Sequence, residues 1–229
     1  MFDSLAQTAA VLEGTKSGRT GFADVSIPRL FAYHRALSEA HTGGKTVITS
    51  HGLAAALGHT IASTQIRKDL SAIGGLGRRG QGYAIKPLVS HLALVLGLER
   101  DWRIAIVGFG YLGHAFATFV TAREKRFQVK AIFDIAPSVI GTVWQGVDVC
   151  HADRIEDVLH DARCDIGVVA VPAAAAQSTA ERLCSLGVRA ILNFAPSSLQ
   201  LHGPTIVRNI DLAGELSILT HRLCFEAGT

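Results

Sequence analysis

Arg103-Ile104-Ala105-Ile106-Val107-Gly108-Phe109-Gly110-Tyr111-Leu112-Gly113 decides the fold of the second half of this chain. The unbroken apolar run to Val107 reads as a strand of a parallel sheet, because such strands are covered on both faces. The glycines follow at G-x-G-x-x-G spacing, and Ala115 to Val120 continues as helix, so the motif lies between strand and helix. There Gly108 makes the tight turn, Gly110 lets backbone approach a pyrophosphate, and Gly113 permits close helix–strand packing, while the helix amino terminus favours the anion. Phe109, Tyr111 and Leu112 join the glycines as candidate cofactor-binding positions.

The next strand, Val129 to Phe133, ends at Asp134, 21 residues beyond Gly113. A carboxylate there accepts hydrogen bonds from an adenosine ribose and repels a 2′-phosphate, and Ile135-Ala136-Pro137 brings no arginine. NAD(H) is favoured over NADP(H). Further strands at 166–171, 190–192 and 206–209 alternate with helical stretches, predicting a doubly wound α/β sheet of Rossmann type. Val171-Pro172 and Asn193-Phe194-Ala195-Pro196 end two strands at the carboxyl edge, where such sheets bind ligands. Val171, Pro172 and Asn193 are therefore candidates as well, although plain turn chemistry would account for them. A different Rossmann ligand, such as coenzyme A, or an empty fold is the alternative.

The first half has another pattern. Pro28 opens a helical stretch ending near Gly43-Gly44; Val47-Ile48 is a short extended piece; Ser50 caps a brief helix that Gly58 ends. From about Ala62 to Ile73, Ile66, Leu70 and Ile73 share a buried face. The opposite face displays Ser63, Thr64, Gln65, Arg67, Lys68 and Ser71. Arg and Lys can neutralise phosphates or read guanine, and Gln can pair with adenine, so this is a helix-turn-helix candidate; an ordinary helical hairpin would look alike. The alternating glycines of 74–82, with Arg78 and Arg79 at the tip, suit a tight basic hairpin or, alternatively, a flexible linker. A helix-turn-helix followed at once by such a hairpin is a winged-helix arrangement. Helical periodicity resumes from Pro87 to Leu98.

Charge follows the same division. Residues 1–99 carry ten Lys/Arg against six Asp/Glu, whereas 100–229 carry twelve against thirteen. A basic excess in one half fits nucleic-acid binding, though a solvated face would also produce it. The expected organisation is a disordered tail over 1–25, a winged-helix domain over 26–99, a Rossmann domain over 100–210 and a carboxyl-terminal helix over 211–229. Residues 1–21 lack the basic stretch and apolar core of a secretory signal, and no apolar run approaches a membrane span, so a cytoplasmic address is expected. Cys150, Cys164, Cys184 and Cys224 are scattered singly, which predicts reduced, buried thiols, and the histidines form no metal-ligating pattern. Nothing in the sequence equips the dinucleotide fold for hydride transfer, so a sensor is expected; a small NAD-dependent oxidoreductase is the rival.

Taken in order, Gln65-Ile66-Arg67-Lys68-Asp69-Leu70-Ser71, Gly77-Arg78-Arg79-Gly80-Gln81-Gly82-Tyr83, Gly108 to Gly113, Ile191 to Pro196 and Asn209-Ile210-Asp211-Leu212 resemble the Rex family of redox-sensing transcriptional repressors. The resemblance spans about residues 26 to 225. It implies a homodimer that binds a pseudo-palindromic DNA operator when NAD⁺ prevails and releases it when NADH binds. It assigns Arg67 and Lys68 to the recognition helix and Arg78 and Arg79 to the wing. It also implies a terminal helix, Leu212 to Phe225, that swaps between subunits through its leucine face, and a salt bridge from Arg35 to Asp211 linking head and sensor. Two departures stand out: a turn between Gly58 and Gln65 about two residues longer than the family's, and Phe119 where relatives often carry tyrosine.

Overall fold

The computed structural model describes residues 26–74, 77–78, 80–123 and 125–225, with the side chains of Ser26, Arg78 and Arg123 excepted. The tail expected over 1–25 and the arginine at 79 lie outside the described residues. The chain divides into two compact units, Met1–Glu99 and Arg100–Thr229.

In the first unit, α1 (Ser26–Thr42), α2 (Ser50–Ala56), α3 (Ser63–Ala72) and α4 (Ile85–Val95) surround one core. That core is built from Leu30, Tyr33, Leu37, Leu53, Ile66, Leu70, Ile85, Leu88 and Leu92. A three-stranded antiparallel sheet completes the unit: β1 (Val47–Ile48), β3 (Gly82–Ala84) and β2 (Gly77–Arg78), in that spatial order. The glycines set the wing. Gly82 has φ +79°, and a Cβ there would lie 2.6 Å from the Ile48 carbonyl oxygen; one at Gly77 would lie 2.5 Å from the Tyr83 ring. Two expectations are corrected. The cap of α2 is Thr49, whose hydroxyl accepts the Gly52 N–H, not Ser50, which is already helical. And α4 begins at Ile85, two residues ahead of Pro87, which its first turn tolerates because the N–H groups there have no intrahelical acceptor.

The second unit is a seven-stranded sheet in the order β10-β9-β8-β4-β5-β7-β6. Its strands are β4 (Trp102–Val107), β5 (Phe127–Asp134), β6 (Val143–Trp144), β7 (Val147–His151), β8 (Ile166–Val169), β9 (Ala190–Asn193) and β10 (Ile206–Asn209). All neighbours are parallel except the β6–β7 hairpin. The helices are α5 (Tyr111–Arg123), α6 (Ile155–Ala162), α7 (Ala173–Ser185) and α8 (Leu212–Phe225). Leaving β6 aside, this is the Rossmann order, and its chain reversal falls between β4 and β8. Apolar clusters lie on both faces, one around Val107, Phe133, Val169 and Leu183, the other around Ile104, Ile106, Ala117 and Ile132.

The β6–β7 pair was not expected from sequence, and the strand expected over 166–171 stops at Val169. The buried-thiol expectation holds for Cys164 alone in full: Cys150 and Cys184 are half-buried and Cys224 is exposed. Burial, then the charge of Asp165, pushes the Cys164 thiol up to about 12. Among the described residues no cluster of His, Cys, Asp or Glu could hold a metal, and no helix is long and apolar enough to cross a membrane. The last helix, α8, buries none of its residues: Leu212, Leu216, Ile218, Leu219, Leu223 and Phe225 are all exposed.

Candidate functional site

The turn after β4 lies at the chain reversal, and each glycine of the motif has a separate reason to be there. Gly108 has φ +91°, and a Cβ on it would stand 2.3 Å from the Ala170 carbonyl oxygen. A Cβ on Gly113 would stand 2.0 Å from the carbonyl oxygen of Gly108. Gly110 differs: nothing lies within 4 Å of the position its Cβ would take. The fold itself thus demands two of the glycines and leaves open space beside the third. Helix α5 starts here, with the His114 N–H donating to the Gly110 carbonyl (3.0 Å); the amides of a helix's first turn have no intrahelical acceptor, and such a terminus favours an anion. Tyr111 and Leu112, on the first turn, are exposed, while the Phe109 side chain is buried and packs against His114 and Trp144, ring centroids 5.3 and 6.0 Å away.

Asp134, at the end of the adjacent β5, reaches back to this loop. Its Oδ2 accepts the Phe109 N–H (2.5 Å), and its Oδ1 accepts the N–H groups of Ile135 (2.7 Å) and Ala136 (2.8 Å). Among the described residues Oδ2 has a single donor, the Phe109 N–H, and it keeps a lone pair for a further one, as a ribose hydroxyl would be. An open glycine, a helix amino terminus and a carboxylate on neighbouring strand ends fit a dinucleotide.

From β8, Val171 and Pro172 continue along the same edge, half-buried and exposed respectively. Asn193 is different. It is fully buried, its amide nitrogen donates to the Ser197 carbonyl (2.7 Å) and Asn209 Oδ1 (2.9 Å), and its oxygen accepts the Ala195 N–H (3.0 Å). Its side chain therefore shapes the loop after β9 instead of facing outward.

In the first unit α3 presents Thr64, Arg67 and Lys68 as exposed residues, with Ser63 and Gln65 half-buried. Arg67 Nη1 donates to the Ser50 hydroxyl (3.0 Å), tying α3 to the start of α2, and Ser63 Oγ lies 3.4 Å from His51 Nε2. Between the helices Gly58 and His59 both take positive φ, +64° and +57°. The Arg78 backbone pairs with Gly82 in the wing. Sequence reading missed Asp69, a buried carboxylate on the inner side of α3. Of the other candidates, Arg35 is exposed on α1, and Phe119 is exposed on α5. Asp211 Oδ1 accepts the Gly214 N–H (2.9 Å) at the start of α8.

Comparison with known proteins matches residues 23–71 to the model of a putative DNA-binding protein N-terminus and residues 99–197 to that of a CoA-binding domain. The redox-sensing transcriptional repressor Rex of Desulfitobacterium hafniense is 41% identical over 90% of this chain and 95% of its own length. That of Streptomyces coelicolor is 39% identical over 91% and 80%. Among solved structures, the Rex-family repressor RSP in complex with NAD⁺ and operator DNA superposes with a TM-score of 0.82 at 34% identity, covering 91% of this chain and 95% of its own. The complex of RSP with NADH gives 0.78 at 33% identity, over 91% and 97%.

Proposed function

The chain belongs to the Rex family of redox-sensing transcriptional repressors, and from that premise we propose how its residues divide the work. The protein is a DNA-binding repressor that senses the NADH/NAD⁺ balance, holding its operator when NAD⁺ prevails and leaving it when NADH binds. The observation that carries the sensing half is the open space at Gly110 beside the amino terminus of α5. Gly108, Gly110, Gly113 and Asp134 hold the dinucleotide, with Phe109, Tyr111, Leu112, Val171 and Pro172 around it. Asn193 acts by fixing the loop after β9. In the other unit, Thr64, Arg67 and Lys68 of α3 meet the major groove, and Arg78 and Arg79 of the wing meet the backbone or minor groove.

The working form is a homodimer on a pseudo-palindromic operator. Support comes from α8, whose apolar residues are bare in a single chain and in water would gain from a second copy. Arg35, Asp211 and Phe119 are the proposed linkage between head and sensor. The role is regulatory, not catalytic, and the location cytoplasmic. NADH must prefer the DNA-incompetent arrangement by about 5.5 kcal/mol for a full 99:1 reversal. Titrating a labelled operator complex with NADH and with NAD⁺ tests this: NADH should release the DNA at far lower concentration. Equal release by both would refute the redox reading, and turnover of NADH with small carbonyls would favour an oxidoreductase.

A further inference from the structure

Asp69 lies on α3, one turn beyond Gln65, with its side chain only 6% exposed. Four donors converge on it. Arg29 and Tyr33 come from α1: Arg29 Nε reaches Oδ2 at 2.8 Å and Nη2 reaches Oδ1 at 3.1 Å, while the Tyr33 hydroxyl reaches Oδ2 at 2.7 Å. Gln65 Nε2 donates to Oδ1 at 2.7 Å. Burial pushes the Asp69 carboxyl up, but the hydrogen bonds from Arg29, Tyr33 and Gln65 outweigh it and hold the group below its ordinary value. The carboxylate therefore stays ionised at neutral pH, with two donors on each oxygen.

Two constraints on α3 follow. A bidentate Arg–carboxylate contact is specific in direction, so the pair with Arg29 fixes the roll of α3 against α1. The amide of Gln65 must also turn its nitrogen toward an anion, since its oxygen would be repelled there. The residue that pattern alone would match to adenine thus has its amide nitrogen drawn inward, one of its two N–H groups committed to Asp69. We propose that Asp69 is the positioning residue of the DNA-reading helix, and that Gln65 acts through it as a brace and not as a base reader. This rests on the reading of α3 as the recognition helix. Base selection then falls to the exposed Thr64, Arg67 and Lys68.

The test uses the full-length protein, with operator affinity measured by fluorescence anisotropy and base preference by selection from a randomised half-site. Gln65→Ala and Tyr33→Phe each remove one donor to Asp69 and should weaken operator binding about threefold to tenfold. The loss should be uniform across operator variants, with the preferred base unchanged at every position and NADH affinity equal to wild type. The double variant should lose less than the product of the two losses, because both act through one carboxylate. Loss of preference at a single operator position in Gln65→Ala would overturn the proposal by making Gln65 a reader. A lowered melting temperature with unchanged affinity, measured where the protein is fully folded, would overturn it by making the network merely structural. Absence of any operator preference in the wild type would instead refute the recognition-helix reading, and this inference with it.

Discussion

Replacing the three glycines of the β4–α5 turn one at a time by alanine should separate folding from ligand binding. At Gly113 the added methyl would start 2.0 Å from a carbonyl oxygen of the same loop, with no flexible side chain to yield. Overpacking of this kind costs about 1–3 kcal/mol. At Gly108 the methyl would meet Ala170 backbone at 2.3 Å and add the strain of φ +91°, itself of order 1–3 kcal/mol. At Gly110 it meets nothing within 4 Å, so stability should change by no more than about 0.5 kcal/mol. A loss of about 2 kcal/mol lowers the melting temperature of a protein this size by roughly 4–8 °C. Melting curves without ligand should therefore show Gly108→Ala and Gly113→Ala shifted and Gly110→Ala unmoved. NADH titration by fluorescence should show the reverse emphasis, Gly110→Ala losing at least about tenfold in affinity, or 1.4 kcal/mol. Wild-type NADH affinity in Gly110→Ala would refute the assignment of that space to the dinucleotide.

Asp134→Ala removes three backbone hydrogen bonds with the ribose acceptor and should lower both NADH affinity and thermal stability, which separates it from Gly110→Ala in the same two assays. Arg67→Ala should weaken operator binding in a gel shift while NADH affinity stays constant; an unchanged shift removes Arg67 from the interface. Leu219→Glu puts a charge on a residue that is 56% exposed in a single chain, so a lone subunit should fold normally. Sedimentation should nevertheless show the dimer dissociating at concentrations where the wild type is dimeric. Cys164, with its thiol held near 12, should resist iodoacetamide at pH 8 in the native state and react once the protein is unfolded, as peptide mass mapping would report.

The features legible in the sequence were those set by neighbours in the chain. The strand–glycine–helix junction at 104–120 needs only local spacing, and so does the carboxylate at the end of the next strand. That Asp134 grips the Phe109 N–H, 25 residues away, depends on β4 and β5 lying side by side, which periodicity does not encode. Asn193 reads in the sequence either as a ligand-edge residue or as plain turn chemistry, and only the side-by-side placing of β9 and β10 brings Asn209 to its amide and buries it. Asp69 carried no signal beyond an acid in a basic helix, since Arg29 lies 40 residues earlier. The β6–β7 hairpin left one signal in the sequence, the glycine of Gln145-Gly146; both residues take positive φ (+46° and +83°), as a two-residue type I′ turn requires, between Val143-Trp144 and Val147-Asp148. The leucine stripe of α8 was legible, but its spacing does not tell that none of it is buried within a single chain.

On the proposed assignment of this loop to the dinucleotide, the hydrogen bond from the Phe109 N–H to Asp134 sets a kinetic property of the sensor. That bond is made within the protein and shapes the loop as the chain folds, so the ordering entropy is lost there and not at capture. Arrival can then proceed at the rate of diffusion and docking, and differences in affinity reside in residence time. Such a regulator registers a rise in NADH promptly, while its memory of that rise lasts only as long as the dinucleotide stays seated.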